Sequence, residues 1–296
     1  MSIDLRKAEA FNCVAWILNN GIINEQGFPI EFKSHSFLID PYTDDNPQQV
    51  ARKCSQIGWS TLAILRSFHL AKFAGANIIH TFPSRNMSKE FVQPKVDPLI
   101  QKNPVIRKIV GVDSMTLKGV GDRFIYYRGS YEQTEAISIS AHVLINDEYD
   151  RSNLKVLETY RSRLDDARRE NPELGWEFQF SNPTFPGKGV DDYWLRSDQK
   201  HWFIKCRKCS HDWYMKFPDN FDFDNEIRIC SKCHNPLTRD DLTGGRWVKK
   251  YKDREISGYW ISQAFVPWIS AGKIIEESQG DKEIFHNFTL GLPYVS

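Results

Sequence analysis

The sequence has almost no net charge, and its N-terminal apolar run is too short to cross a bilayer. Lysine plus arginine (39) nearly cancel aspartate plus glutamate (38), so contact with nucleic acid requires a local basic patch rather than a field of the whole molecule. No small-residue cleavage site follows the N-terminal apolar run. We therefore expect a cytosolic protein that makes no membrane contact.

Cysteine is also scarce, but its spacing is informative. Cys13 and Cys54 stand alone, whereas the other four of the six form two Cys-x-x-Cys pairs. In a reducing compartment such pairs favour a metal ion over disulfides, and four thiolates make a closed, structural zinc site. His211 and His234 lie beside the pairs and are alternative ligands, but four complete cysteines make them more plausible as neighbours of the site. The expected zinc ligands are Cys206, Cys209, Cys230 and Cys233.

Basic residues surround these cysteine pairs. They comprise four side chains next to the pairs and a segment, 246–252, that mixes basic and aromatic residues. This pattern is typical of surfaces that bind phosphate backbones, and equally of solvated lysines around a zinc site. The four side chains are Lys205, Arg207, Lys208 and Lys232.

Apolar runs that alternate with helical patterns predict an α/β fold. Strands of nearly continuous apolar residues, separated by helices, are typical of a parallel sheet with helices on both faces. The helical patterns between them cover residues 87–101 and 155–170. The predicted strands are residues 77–82, 123–127, 141–145 and 176–180.

Changes in composition divide the chain into four predicted segments. An N-terminal helical segment is followed by the α/β core, the cysteine-rich module and a C-terminal part with a helix at 269–277. We find no internal repeat and no low-complexity tract. The predicted boundaries are 1–35, 36–197, 198–252 and 253–296.

The segment from Lys53 to Thr61 follows a polar turn and opens a long helical pattern. A phosphate-binding loop needs a glycine turn, a lysine for the β- and γ-phosphates and a hydroxyl for Mg²⁺, all at a helix N-terminus. The register here gives Gly58, then Trp59 in the place of that lysine, then Ser60. Lys53 can supply the charge from the other end of the loop. The alternative is an ordinary junction between a loop and a helix.

Two further elements follow the loop along the chain. An apolar strand ends in Asp147 and Glu148, which suits one carboxylate that holds Mg²⁺ and another that activates water, although polar strand ends are common. Another predicted strand then runs into a turn at residues 181–184, a position that couples nucleotide state to movement in helicase-like ATPases.

These three elements, in this order, are followed by a set of short motifs that gives the sequence a specific resemblance. It resembles the lambda-type, gpA-like family of phage terminase large subunits over residues 37–296. The motifs lie at residues 197–206, the two cysteine pairs, 245–247, 258–260, 267–268 and 288–292.

The resemblance implies a P-loop ATPase of the RecA-like, additional-strand class that uses ATP and Mg²⁺. It further implies a homo-oligomeric ring that moves double-stranded DNA into a procapsid in the host cytoplasm, with a portal protein and a small terminase subunit as partners. In that family a nuclease domain follows the ATPase. The chain ends where such a domain would begin, so we expect no DNA cleavage by this chain alone.

The resemblance also implies roles for individual residues. Asp147 corresponds to the Mg²⁺ carboxylate and Glu148 to the catalytic one. Tyr42 is a candidate for stacking on adenine, and the alternative is a tyrosine of an ordinary turn. An arginine that acts in a neighbouring subunit is expected in such motors. Arg128 and Arg85 are the two candidates, and the spacing does not choose between them; either can instead bind DNA or a carboxylate. The phosphate loop comprises Lys53, Gln56, Gly58, Ser60 and Thr61, and the coupling turn comprises Ser181, Asn182, Pro183 and Thr184.

Two other interpretations stay open. Because Trp59 replaces the usual lysine, the chain can instead be a zinc-ribbon module for DNA binding or assembly with a decayed ATPase core. A helicase or another DNA-remodelling ATPase is the third, and it would unwind duplex DNA without any capsid.

Overall fold

The computed structural model describes residues 5–136, 139–170 and 174–296 and shows a mixed α/β protein. The strands are β1 (Gln48–Lys53), β2 (Ile78–Phe82), β3 (Val110–Ser114), β4 (Leu117–Val120), β5 (Arg123–Gly129), β6 (Val143–Asp147), β7 (Trp176–Ser181), β8 (His201–Lys205), β9 (Asp212–Tyr214), β10 (Phe221–Asp222), β11 (Ile227–Arg228), β12 (Arg246–Val248) and β13 (Ser257–Ile261).

The α-helices are α1 (Leu5–Phe11), α2 (Cys13–Asn19), α3 (Ile39–Thr43), α4 (Trp59–Phe73), α5 (Arg85–Phe91), α6 (Asp97–Lys102), α7 (Pro104–Arg107), α8 (Leu154–Arg161), α9 (Asp165–Glu170), α10 (Gly189–Arg196), α11 (Arg239–Thr243), α12 (Ala271–Ser278) and α13 (Lys282–Ile284). Short 3-10 segments cover Ser36–Leu38, Gln133–Ala136, Tyr149–Arg151, Ser162–Leu164 and Gln263–Phe265, and π-helical segments cover Val92–Val96 and Phe285–Leu290. In the described part of the chain, no helix has the length and apolar character that a bilayer crossing requires.

The first of two compact units contains most of the central sheet. It comprises Met1–Glu31, Tyr42–Gln48 and Gly58–Gln179, and its strands follow the order β7, β6, β2, β5, β4, β3. β2 pairs in parallel with both β5 and β6, and β3 and β4 form antiparallel pairs beside β5. Every residue of β2 and β6 is buried, as expected for strands covered on both faces.

The second unit contains the phosphate-loop strand and the cysteine-rich module. It comprises Phe32–Pro41, Gln49–Ile57 and Phe180–Ser296. β1 pairs in parallel with β13, which lies about two hundred residues later in the chain. In the module, β12, β8 and β9 form a three-stranded antiparallel sheet, and β10 pairs with β11.

The four strands predicted from the sequence are all present as β2, β5, β6 and β7. The polar turn expected before the phosphate loop is wrong, because residues there form β1, which is buried from its second residue onward. The predicted N-terminal helical segment contains two helices, α1 and α2, and the first four residues of that segment lie outside the described residues. The division into four segments stays a prediction.

Two of the short motifs, residues 197–206 and 258–260, contact each other within the second unit. Gly258 lies against Ser197 so closely that an added Cβ would be 1.8 Å from the serine Oγ. Asp198 accepts a hydrogen bond from the Gly258 amide (2.8 Å) and forms an ion pair with Lys200 (2.7 Å). The motifs therefore join β13 to the chain segment that enters the cysteine-rich module.

Candidate functional site

The predicted phosphate loop is a tight connection between β1 and α4. β1 ends at Lys53, and α4 begins at Trp59 directly after Gly58. Gln56 (φ 59°) and Gly58 (φ 81°) both adopt left-handed conformations. Left-handed residues between a strand and a helix are typical of loops whose backbone amides bind phosphate. The phosphate-binding role of this loop stays a prediction.

The start of this loop is attached to later parts of the second unit. The amide of Cys54 donates to the carbonyl of Ile261 (2.8 Å), and the amide of Ser55 donates to the carbonyl of Phe288 (2.8 Å). The Ser55 carbonyl accepts a further hydrogen bond from the Gln263 side chain (3.2 Å). Residues at the end of β13 and in the last π-helical segment therefore determine the path of the loop.

The side chains of the loop differ in accessibility. Lys53 is only 7% exposed, and Trp59, which stands in the usual place of the lysine, is buried. Ser60 and Thr61 are half-buried in the first turn of α4. The Thr61 hydroxyl donates to the carboxylate of Glu25 (3.1 Å) within the first unit. Sequence reasoning missed Glu25, because nothing near it along the chain indicates a phosphate site.

The predicted carboxylate pair lies at the end of β6. Asp147 is 4% exposed, and its carboxylate oxygen is 3.9 Å from Nε2 of His80 on the neighbouring strand β2. Glu148 adopts a left-handed conformation (φ 52°), which is uncommon for a residue with a side chain and often marks a functional position. Its carboxylate is 4.0 Å from Nε of Arg151. His80 was missed, because one histidine in an apolar strand gives no distinctive signal.

The predicted coupling turn contacts the phosphate loop directly within the second unit. The side-chain amide of Asn182 donates to the carbonyl of Lys53 (2.9 Å), and its oxygen accepts a hydrogen bond from the Ser55 hydroxyl (3.4 Å). With its amide group oriented to satisfy its neighbours, Asn287 donates to the carbonyl of Pro183 (3.0 Å). A conformational change at the start of the loop would therefore alter hydrogen bonds made by the turn.

The ends of this turn are also held in place. Ser181, the last residue of β7, is buried, and the carbonyl of Thr184 accepts a hydrogen bond from the amide of Tyr294 (3.1 Å).

The remaining predicted residues occupy different settings in the first unit. The guanidinium of Arg128 donates to the carbonyls of Thr116 (3.1 Å) and Tyr127 (3.2 Å), whereas Arg85 is exposed at the start of α5. Tyr42 is only 3% exposed, and burial raises the pKa of its hydroxyl well above the ordinary value. The roles of these residues stay predictions.

The four cysteines of the two pairs lie together in the second unit. Their sulfur atoms are all within 4.8 Å of one another, with Cys206 to Cys233 at 3.8 Å and Cys209 to Cys230 at 3.7 Å. The backbone amide of Asn235, together with the neighbouring thiols, lowers the pKa of Cys233 to about 7. The cluster can hold a metal ion.

Each cysteine pair forms the same local turn. The Cys206 carbonyl accepts a hydrogen bond from the Ser210 amide (2.8 Å), and the Cys230 carbonyl accepts one from the His234 amide (3.0 Å). Ser210 (φ 57°) and His234 (φ 54°) are both left-handed. His234 is exposed, and neither histidine belongs to the cluster among the described residues.

Two of the basic side chains around the module are engaged within it. Arg207 pairs with Asp240 (3.3 Å), and Arg246 forms a two-bond pair with Asp212 that lowers the pKa of this aspartate. The charges of these two arginines are therefore neutralised locally, whereas Lys205, Lys208 and Lys232 beside the cysteine pairs are exposed.

Comparison with known proteins gives a consistent family and fold. A model of the family described as phage terminase large subunit gpA, ATPase domain, matches residues 38–247. The large terminase ATPase domain of Thermus phage P74-26 is similar over 90% of this chain and 94% of that chain, with a TM-score of 0.54 and 9% identity. The large terminase of bacteriophage HK97 is similar over 96% of this chain and 55% of that chain, with a TM-score of 0.59 and 11% identity. A search of curated proteins finds no significant match. The similarity confirms the predicted α/β, P-loop class of fold.

Proposed function

Because the chain belongs to the family of phage terminase large-subunit ATPase domains, we propose that it hydrolyses ATP to drive double-stranded viral DNA into a procapsid. The observation that carries this proposal is the strand, left-handed loop and helix from β1 to α4, together with the buried strand β6 that ends in two carboxylates. These are the elements that P-loop enzymes use for phosphate binding and water activation.

The proposed roles follow from the chemistry of each side chain. The amides of the turn at Gln56 and Gly58 bind phosphate, and Lys53 neutralises its charge. The hydroxyls of Ser60 and Thr61 lie in the first turn of α4, where they would bind Mg²⁺ and phosphate oxygens. When bound, Mg²⁺ neutralises charge that develops on the transferred phosphoryl group.

Two carboxylates and one amide complete the mechanism. Asp147 would hold Mg²⁺, and Glu148 orients the attacking water and removes its proton. Release of the γ-phosphate alters the loop that starts at Lys53. Asn182, which is hydrogen-bonded to the Lys53 carbonyl, transmits that change to the turn at residues 181–184 and thus to the DNA-gripping surface.

A ring of subunits would supply one more group to each site. Motors of this class place an arginine of one subunit against the phosphates of its neighbour, and we propose Arg128 for this role, with Arg85 as the alternative. The backbone hydrogen bonds of the Arg128 guanidinium would have to break for it to reach a neighbour, whereas Arg85 is exposed.

The cysteine cluster fits a structural zinc ion. A tetrahedral site with Zn–S bonds of about 2.3 Å separates its sulfurs by about 3.8 Å, and the two distances of 3.7 and 3.8 Å agree with this value. Four protein ligands leave no open position for a substrate. We therefore propose a stabilising ion and not a catalytic one.

The proposed setting is the host cytoplasm, with transient attachment to the procapsid. The partners proposed there are double-stranded DNA, a portal protein, a small terminase subunit and further copies of this chain. Support comes from the family to which the chain belongs.

DNA-stimulated ATP hydrolysis of the wild type and Glu148→Gln, with zinc retained, tests this function. We expect turnover to fall about 10²- to 10⁴-fold in the variant, since the water loses its base. Glu90→Gln, an exposed carboxylate on α5, is the matched control and should retain full turnover.

The alternative is a zinc-ribbon module for DNA binding or assembly with a decayed ATPase core. Trp59 in place of the usual lysine is the observation that favours it. DNA binding that is independent of nucleotide, without ATP turnover by the wild type, would support this alternative and contradict the motor.

A further inference from the structure

A cavity of about 270 Å³ lies in the second unit, where the strands β1 and β13 meet the strands β8 and β9 of the cysteine-rich module. β1 contributes Arg52 to its wall and β13 contributes Trp260, whereas β8 and β9 contribute His201 and Tyr214. Small-molecule sites begin at about 300 Å³. The cavity therefore suits a ligand no larger than one large side chain.

Aromatic rings at fixed positions form one part of the wall. The ring centres of His201 and Tyr214 are 4.3 Å apart, and Trp260 lies edge-on to both, at 5.4 and 6.1 Å. The indole nitrogen of Trp260 donates to the carbonyl of Leu290 (3.0 Å), which holds that ring in place. Burial lowers the pKa of His201 to about 4, so its imidazole is uncharged near neutral pH. Such walls suit a flat apolar group, which packs on rings by offset or edge-to-face contacts.

Arg52 adds hydrogen-bond donors that the protein does not use. It is only 6% exposed, and its Nη1 donates to the carboxylate of Asp191 (2.5 Å). Its Nε and Nη2 have no acceptor in the part of the chain that the structure describes. A buried donor without an acceptor costs free energy, which a ligand oxygen would recover. The guanidinium therefore favours a ligand that carries an acceptor.

The charges in the wall favour an acid as that acceptor. None of the described residues that line the cavity is acidic, and two of them, Arg52 and Lys216, are basic. Asp191 offsets the charge of Arg52, which leaves the charge of the exposed Lys216, whose ammonium is 5.0 Å from the ring centre of Tyr214. Hydrogen bonds from a guanidinium to a carboxylate are roughly twice as strong as those between neutral groups.

We propose that this cavity binds a small aryl carboxylate. The aromatic ring packs among His201, Tyr214 and Trp260, and the carboxylate accepts hydrogen bonds from Nη2 of Arg52 and from Lys216. Two sources share this chemistry, a free aryl acid and the C-terminal residue of a peptide that ends in an aromatic side chain. The cavity contains no residue of the proposed nucleotide site, so the inference does not depend on the ATPase function.

The test compares binding of 3-phenylpropionate with binding of its uncharged amide by titration calorimetry. We expect the wild type to bind the acid about tenfold more tightly, because only the acid makes charge-assisted hydrogen bonds. Lys216→Gln should reduce this preference a few-fold, since one cation is lost. Lys33→Gln removes an exposed lysine of the same unit outside the cavity walls and is the matched control, with an unchanged preference.

A double variant tests the buried donor. Arg52→Gln combined with Asp191→Asn replaces the buried ion pair by an uncharged pair, so that no charge is left without its partner. It should lose most of the preference for the acid and still bind the amide. Thermal unfolding curves that match the wild type show that this loss is not loss of the fold. Lys216→Gln provides the same test at an exposed position if the double variant does not fold.

The possible results are distinct. No binding of either probe by the wild type, equal affinities for acid and amide, or a wild-type preference in Lys216→Gln and in a folded double variant would overturn the inference. The tripeptide alanyl-alanyl-phenylalanine, with a free or an amidated C-terminus, distinguishes the two sources. Tighter binding of the free tripeptide than of 3-phenylpropionate identifies a peptide C-terminus as the ligand, and weaker binding identifies a free acid.

Discussion

The cysteine cluster and the phosphate loop achieve defined geometry in opposite ways. Each cysteine turn is closed by local hydrogen bonds, such as that from the Cys206 amide to the His211 carbonyl (2.8 Å). The phosphate loop is instead held by distant residues, since the Ser55 amide bonds to Phe288 and its hydroxyl to Asn182, which is 127 positions away. The geometry of one site depends on short-range turns, and the geometry of the other depends on tertiary packing.

Because of this difference, we expect different changes to disrupt the two sites. A structural zinc ion contributes binding free energy directly to folding, so the module should fail when the ion is removed. The phosphate loop should fail when a distant contact is disturbed, even though no residue of the loop has changed. The predictions below apply this contrast, from the largest expected effect to the smallest.

The largest effect is expected from removal of one zinc ligand. Cys230→Ser should lose most of the bound metal and unfold the module, because structural zinc contributes about 10–16 kcal/mol in zinc-finger peptides. Elemental analysis and the tryptophan fluorescence of thermal unfolding measure the two consequences. A chelator should destabilise the wild type but not the variant, and an equal response of both proteins would contradict the structural role.

A smaller effect is expected where the phosphate loop meets the C-terminal segment. Gly291 is left-handed (φ 63°), and an added Cβ would be 2.4 Å from the Ile261 carbonyl and 2.9 Å from the Cys54 amide. Gly291→Ala should therefore lower the free energy of unfolding by about 1–3 kcal/mol and weaken ATP binding. Denaturant unfolding and calorimetry measure these changes.

Gly280→Ala is the matched control, since its Cβ would meet only the Glu277 carbonyl at an ordinary 3.5 Å. If Gly291→Ala retained full stability and ATP affinity, the loop would not depend on its distant contacts.

The smallest effect is expected from Glu25, whose carboxylate accepts the hydrogen bond of the Thr61 hydroxyl. This negative charge lies where the proposed site receives phosphate, so Glu25→Gln should raise ATP affinity a few-fold by removing repulsion. The gain should shrink at high salt, which screens the charge. Glu31→Gln is a control in the same N-terminal region, and an unchanged or weaker affinity of Glu25→Gln would count against the predicted contact with nucleotide.

Strand prediction found four strands with continuous apolar runs but missed β1, β3, β4 and β13 of the same sheet. The sequence of β1, Gln-Gln-Val-Ala-Arg-Lys, contains four polar residues and reads as a turn. Tertiary contacts offset the free-energy cost of burying its polar side chains. The Arg52 guanidinium pairs with Asp191 (2.5 Å) and lies 3.7 Å from the ring centre of Trp194, while burial lowers the pKa of Arg52 to about 10. Neither partner is near β1 in the chain.

The prediction of site residues from the sequence was limited in the same way. Asp147 and Glu148 were recognisable because they end an apolar strand, but His80 and Glu25 were not, because their relevance comes from neighbours on other segments. The sequence also gave no sign that Gln56 and Phe288 line one cavity, since these two residues become neighbours only after the chain has folded.

By itself the sequence determined the cysteine cluster, the two carboxylates at the end of β6 and the family, because each depends on residues close together or in a specific order. Only the tertiary structure decided the path of the phosphate loop, the burial of Arg52 and Lys53 and the cavity beside Gln56. The physical reason is that hydrogen bonds and ion pairs between distant segments leave no recognisable pattern in the local sequence. Their partners become neighbours only through the pairing of strands such as β1 and β13.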